Sequence, residues 1–273
     1  MLLSTLLLPA LAVTPTSENS VLNRPEWPVA IRLEAELGTL LPVAHTIQFG
    51  RDGSVFDYVE EGGQNNLFPF LRFDASLDIG KRNTVRFLYQ PLDLRSEVTA
   101  ARDLRIDGVD FAKGTLMDLR YGFSFVRGTW LFDLMPDQRR EASLGLALQI
   151  RNAAISWTAV DGSQRVDERN VGPVPLLAGR LRLPLTGRFY LGAEATGFYA
   201  PIKYLNGGAV DVEGAILDAS LRGGLSLQQG VDTFLSLRYV GGGSSGTGKD
   251  SDGDGYNDNW LHFMALSVGA QLR

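Results

Sequence analysis

From residue 29 to its end the chain alternates apolar and polar side chains with period two, in long runs. Ile31, Leu33, Ala35 and Leu37 interleave with Arg32, Glu34 and Glu36; Leu71, Phe73, Ala75 and Leu77 interleave with Arg72, Asp74, Ser76 and Asp78. The same beat recurs over Leu144–Ile150, Leu177–Leu183 and Ala215–Leu225. Successive side chains of a strand point to opposite faces, so this beat builds a sheet with one apolar and one polar face. No stretch past the first dozen residues carries a helical period, and the expected fold class is all-β.

Ten strands follow from the runs, at about residues 29–40, 66–79, 84–98, 115–134, 140–159, 171–184, 188–203, 209–227, 232–242 and 259–272. A miscounted hairpin would make the number eight or twelve. The fourth run holds two apolar sets of opposite parity, Leu119, Tyr121, Phe123 and Phe125, then Val126, Trp130, Phe132 and Leu134. A bulge near Phe125–Arg127 reconciles them, and another is expected near Asn152–Ala154. The joints Gly80–Asn83, Met135–Arg139, Leu185–Gly187 and Gln228–Val231 are short. Those at Leu41–Asn65, Thr99–Gly114, Val160–Asn170 and Gly243–Asp258 are long, and Tyr204–Gly208 is intermediate. Tight turns alternating with extended loops are the pattern of an antiparallel up-and-down transmembrane barrel. An even strand count lets the last strand pair with the first and leaves no edge.

The expected outward face includes Leu33, Leu37, Phe73, Leu77, Phe87, Tyr121, Phe123, Trp130, Leu146, Leu217, Leu237 and Val268. The expected lumen carries Arg32, Glu34, Glu36, Arg72, Asp74, Asp78, Arg86, Asp118, Arg120, Arg151, Arg180, Arg182, Glu194, Asp218, Arg222 and Arg238. A soluble sandwich would pair two apolar faces inside; a membrane barrel hides the charge and shows leucine to acyl chains. Strands longer than the usual soluble length of about 5–6 residues favour the barrel. Ten strands lie near the filled end of barrel sizes. Mixed-sign charges confined in such a tube must pair, so a plugged or narrow lumen is expected.

The compartment is read from the N-terminus. Residues 1–12 form an apolar stretch ending in Ala10-Leu11-Ala12, the small-x-small pattern of an export signal. No Lys or Arg precedes it, so the signal is incomplete if the true start lies upstream of Met1. Residues 13–28 are then a periplasmic segment and 29–273 the barrel. The expected place is the bacterial outer membrane, with its lipids and the barrel assembly machinery as partners. With no cysteine and two histidines, thiol chemistry, iron–sulfur clusters and a three-histidine metal centre are excluded. A net charge of −5 argues against a nucleic-acid partner, which wants a basic face.

Several segments resemble a family of uncharacterised bacterial outer-membrane β-barrel proteins: His45–Gly50, Phe56–Gln64, Asn66–Phe70, Phe87–Leu92, Met117–Gly122, Gly253–Tyr256 and Asn259–Leu261. The resemblance implies location and fold and carries no activity. The chain departs from the wider outer-membrane pattern by ending Gln271-Leu272-Arg273, without a terminal aromatic.

Candidate chemistry is sparse, and no catalytic residue or bound cofactor is expected. Asp250, Asp252, Asp254 and Asp258 stand at positions 1, 3, 5 and 9 of a calcium loop with Gly255 at position 6. Position 12 is Leu261, so the bidentate glutamate is missing and any calcium binding would be weak. The run from Gly243 to Lys249 matches a phosphate loop up to its lysine, but Asp250 replaces the hydroxyl residue and no helix follows. Barrel closure would bring His45 near His262, the one acid–base constellation open to a hydrolase, although neither matches a hydrolytic signature and His262 shares the parity of outward residues. The aromatic first loop, Leu41–Asn65, is expected to fold over the mouth as a cap. Asp107-Gly108 signals a two-residue hairpin turn. The expected role is structural or binding, with a small passive channel or a surface lipid or peptide hydrolase as alternatives.

Overall fold

The computed structural model describes residue 22 and residues 29–135, 140–201, 211–227, 230–248 and 254–273. Its strands are β1 (Val29–Phe49), β2 (Phe56–Asp57), β3 (Phe68–Ile79), β4 (Asn83–Gln90), β5 (Asp93–Thr99), β6 (Leu104–Ile106), β7 (Val109–Phe111), β8 (Leu116–Asp133), β9 (Glu141–Ala159), β10 (Arg165–Pro184), β11 (Phe189–Pro201), β12 (Asp211–Ser226), β13 (Val231–Thr247) and β14 (Tyr256–Leu272). Ten wall strands close a ring: β1, β3, the broken strand β4–β5, and β8 through β14. The break falls at Pro91, which has no amide hydrogen for a ladder. β14 pairs with β1 from Leu272–Leu33 up to Asn257–Phe49, so the wall closes on itself without a free outer edge strand among the described residues.

One row of cross-strand partners shows how the strands are staggered. It starts at Ile31 and passes through Leu77, Val85, Trp130, Leu146, Leu177, Gly197, Leu217, Gly241 and His262 to Ala44. The row therefore returns to its own strand near the opposite end, as the tilted strands of a closed barrel require. Halfway along it, at Leu177 and Gly197, lies mid-height of the wall.

The face change sits in β1 and not where parity arithmetic put it. Between Pro42 and Ala44 the register with β14 slips, and Val43 is the extra residue. Below the slip even positions face inward (Glu34, Glu36, Leu40); above it odd positions do (His45, Ile47, Phe49). In β8 the register with β9 runs unbroken from Met117–Ala159 to Asp133–Ser143, so neither expected bulge, at 125–127 or at 152–154, exists. Odd residues of β8 point inward throughout, and Tyr121 and Phe123 are buried in the lumen, not outward. The physical reason is that the lumen is polar only toward the short turns; its half nearest the long loops is apolar. The same correction moves Asp118 and Arg120 to the outside, where Arg120 pairs with Asp93 at 3.0 Å. The Asp107-Gly108 turn joins β6 to β7, with both residues at positive φ (45° and 78°) as a two-residue hairpin needs.

Candidate functional site

The lumen has two storeys. Toward the short turns it is filled by a continuous ion-pair network of Arg32, Arg72, Arg86, Arg127, Arg180, Arg222 and Arg238 with Glu34, Glu36, Asp74, Asp78, Glu141, Glu194 and Asp218. Each arginine has a carboxylate to match, so the network is formally neutral. Asp218 is one hub: its Oδ1 accepts from Arg238 at 2.6 Å and its Oδ2 from Arg72 at 3.0 Å and Arg127 at 2.9 Å. Glu36 is another, with Oε1 accepting from Arg222 and Arg238 and Oε2 from Ser267. Charges withdrawn from water this far need several partners each, and the barrel wall supplies them from alternate positions of neighbouring strands. The cavity left among Arg72, Arg86, Arg127, Arg180 and Glu194 holds about 20 Å³, roughly room for one water.

Toward the long loops the filling is aromatic. The loop after β1 turns into the barrel, β2 pairs with Thr46 and Ile47, and Phe56 and Tyr58 become fully buried. His45 stacks on Tyr58 (ring centroids 4.4 Å, 17°) and meets Tyr121 (4.2 Å, 82°) and Phe263 (5.5 Å, 83°) edge-on. Its Nδ1 is hydrogen-bonded to Gln64 Oε1 at 2.8 Å, and its backbone oxygen accepts from Tyr58 N at 2.8 Å. Trp157 Nε1 donates to Tyr58 Oη. A second layer closes over the plug: Ala100, Leu104, Ile106 and Phe111, from the segment between β5 and β8, are buried in the same cluster as Phe56. Arg102 fixes this layer to the first loop through Glu61 (2.9 Å) and the Val55 carbonyl (2.6 Å), and the Glu61 carboxylate holds the guanidinium above its ordinary range. The loop is thus a plug as well as a cap.

The predicted site residues fall into four groups. Arg32, Glu34, Glu36, Arg72, Asp74, Asp78, Arg86, Arg180, Glu194, Asp218, Arg222 and Arg238 lie in the network, joined by Arg127, which parity arithmetic missed because it placed a bulge beside it, and by Glu141 at the start of β9. Arg182 forms a smaller group with Asp232 and Arg273 at the short-turn end. Arg151 is inward and makes no ion pair among the described residues. Asp118 and Arg120 are outside.

His45 and His262 do not meet, because Leu261, not His262, is the register partner of His45 and the two rings lie on opposite faces of the wall. His262 Nδ1 is hydrogen-bonded to Tyr239 Oη at 2.6 Å on the outer face. With His45 fully enclosed by aromatic rings, its geometry suits a clamp for the loop and gives a substrate no approach.

Of the acidic run, Asp250 and Asp252 lie outside the described residues. Asp254 accepts the backbone N–H groups of Arg51 and Tyr256, which hold its carboxyl below the usual range, while Asp258 lies in β14 opposite Gln48. Residues 1–12, and all but one of residues 13–28, lie outside the described residues too.

No family model and no curated protein matches the chain. Among solved structures it is similar to the outer membrane protease OmpT from Escherichia coli (10% identity, 89% of this chain and 96% of that one, TM-score 0.48). It is similar also to Ail, the attachment invasion locus protein of Yersinia pestis (9%, 89% and 99%, TM-score 0.39). The outer membrane protein OprG from Pseudomonas aeruginosa is a third (10%, 89% and 95%, TM-score 0.34).

Proposed function

We propose that the chain is an integral protein of a bacterial outer membrane whose role is structural or ligand-binding, not that of an open pore. The observation that carries this is the outer face of the closed barrel. Leu33, Leu37, Phe73, Phe87, Leu144, Leu146, Leu181, Leu191, Leu221, Leu235, Leu237, Leu266 and Val268 all stand exposed on it, Leu37 and Val268 at 60%. Soluble monomers rarely expose contiguous apolar patches beyond a few hundred Å², and here the apolar surface runs round the wall. Trp130 and Phe189 mark its short-turn end; Tyr199, Tyr239, Trp260 and His262 mark the other, as interfacial girdles do. The partners of this surface are lipid acyl chains.

The filled lumen favours the non-conducting reading over the channel. The charge network shows no one-sign ring of the kind a selective channel uses, and the aromatic plug stands in series with it. The test is fractionation and gel mobility. The protein is expected in outer membranes, to need detergent, and to migrate faster unboiled than boiled, because the closed barrel stays folded in detergent. A mature chain that is monodisperse without detergent overturns the proposal.

A further inference from the structure

Among the described residues the wall is not zipped along the whole β10–β11 boundary. β10 and β11 pair only from Pro184–Tyr190 up to Leu177–Gly197, that is, to mid-height on the row from Ile31 to Ala44. Beyond this, Pro173–Leu176 pair to β9 and Phe198–Pro201 to β12, with no pairing between these two stretches among the described residues. Sequence chemistry keeps the two edges apart. Leu185 N donates to Phe189 O, so odd residues of both strands turn their backbone groups toward this seam. Pro173, Pro175 and Pro201 are odd, and none has an amide hydrogen to give. If the barrel spans a membrane, this seam opens at outer-leaflet depth, where bare backbone carbonyls are costly unless they line a site.

Both sides of the seam are shaped for an occupant. Outside, a groove of about 570 Å³ runs along Leu177, Gly197, Tyr199, Leu217, Tyr239 and His262. Inside, Phe198 belongs to the inward parity of β11 yet is 40% exposed, since no β10 neighbour covers it. Arg151 stands behind the seam, opposite Gly172 in register. A Cβ at Gly172 would meet nothing nearer than Asn170 Oδ1 at 3.9 Å, so Gly172 leaves open space on the inner face of β10 beside Arg151. The lumen network is balanced without Arg151, which donates to Asn170 Oδ1 at a long 3.5 Å and whose buried Nε is unpaired. A cation with no counter-charge among the described residues, near an unpaired stretch of wall and an apolar groove, is complementary to one anionic head on one hydrocarbon tail.

We infer that the β10–β11 seam binds a single-chain carboxylate amphiphile, its carboxylate on Arg151 and its chain passing between Pro173–Pro175 and Tyr199–Pro201 into the outer groove. This site rests on the membrane reading of the outer face. The experiment uses the full chain inserted in phosphatidylcholine nanodiscs, with stearate spin-labelled near its methyl end as probe. Insertion itself tests the membrane reading; probe binding tests the seam. One immobilised stearate per barrel is expected, displaced by palmitate but not by phosphatidylglycerol. Arg151→Gln should weaken it at least tenfold while leaving the unboiled gel mobility unchanged. The methyl ester of the probe should lose the same factor on the unmodified protein, which needs no variant to fold. Probe no more immobilised than the surrounding lipid, equal binding of acid and ester, or displacement by phosphatidylglycerol would each overturn the inference.

Discussion

Asp218 gathers three guanidinium groups on two oxygens, and no second carboxylate lies within ion-pair distance of Arg127 among the described residues. Asp218→Asn keeps the shape and removes the charge, leaving Arg127 buried with Gln149 and no anion. Breaking a buried pair by deleting one partner costs about 3–5 kcal/mol, and a loss of that order is expected in urea unfolding from lipid vesicles. An unchanged midpoint would show that water reaches these arginines. Tyr58→Phe is milder: it deletes the acceptor of Trp157 Nε1 and leaves that donor buried, which costs about 1–3 kcal/mol. Membership of the network is largely legible from period two alone, because a charged residue on the inner parity of a closed wall must find its counter-charge there. Partners are not legible that way. Arg222 lies 186 positions from Glu36, and only the stagger of the closed ring brings them within 2.6 Å.

At the scale of elements, the slip at Val43 decides what β1 presents to the lumen. Because Val43 is the extra residue, deleting it leaves His45 opposite Leu261 and inward, whereas His45→Ala removes the ring that stacks on Tyr58 and bonds Gln64. The first loop then loses its clamp. With Trp27, Trp130 and Trp260 replaced by Phe, fluorescence of Trp157, buried at 2% exposure, should become quenchable by acrylamide in His45→Ala and stay protected in the Val43 deletion.

The second loop contact is electrostatic. Asp254 caps the Arg51 and Tyr256 amides, and those N–H groups depress its pKa, so its contribution is present above the ordinary carboxylate range and is lost as pH falls through the depressed value. Protease cleavage after Arg51 by an acid-tolerant enzyme is expected to rise across that window and to be pH-independent in Asp254→Asn. The sequence carries a signal for the open seam as well, since prolines at alternate positions argue against a paired strand interior. Period-two counting passes over it because proline keeps the beat.

Taken whole, the molecule closes its lumen twice, by different chemistry at different heights. The apolar half is the part least legible in the sequence: parity says which face a residue takes, not what stands across the barrel from it. Leu119, Tyr121 and Phe123 belong inside only because a loop more than fifty residues earlier brings Phe56 and Tyr58 to meet them. Two closures in series make a distinctive prediction for conductance. Removing residues 51–63 takes out the plug but leaves Asp218, Glu36 and their arginines in place, so planar bilayers should show no steps. Replacing Arg72, Arg127 and Asp218 together by Ala leaves the plug, and these bilayers too should stay silent. Conducting steps are expected when both changes are combined, because each closure alone suffices to block ions. Steps from the plug deletion alone would mean that the neutral network passes ions, and would return the narrow channel to first place.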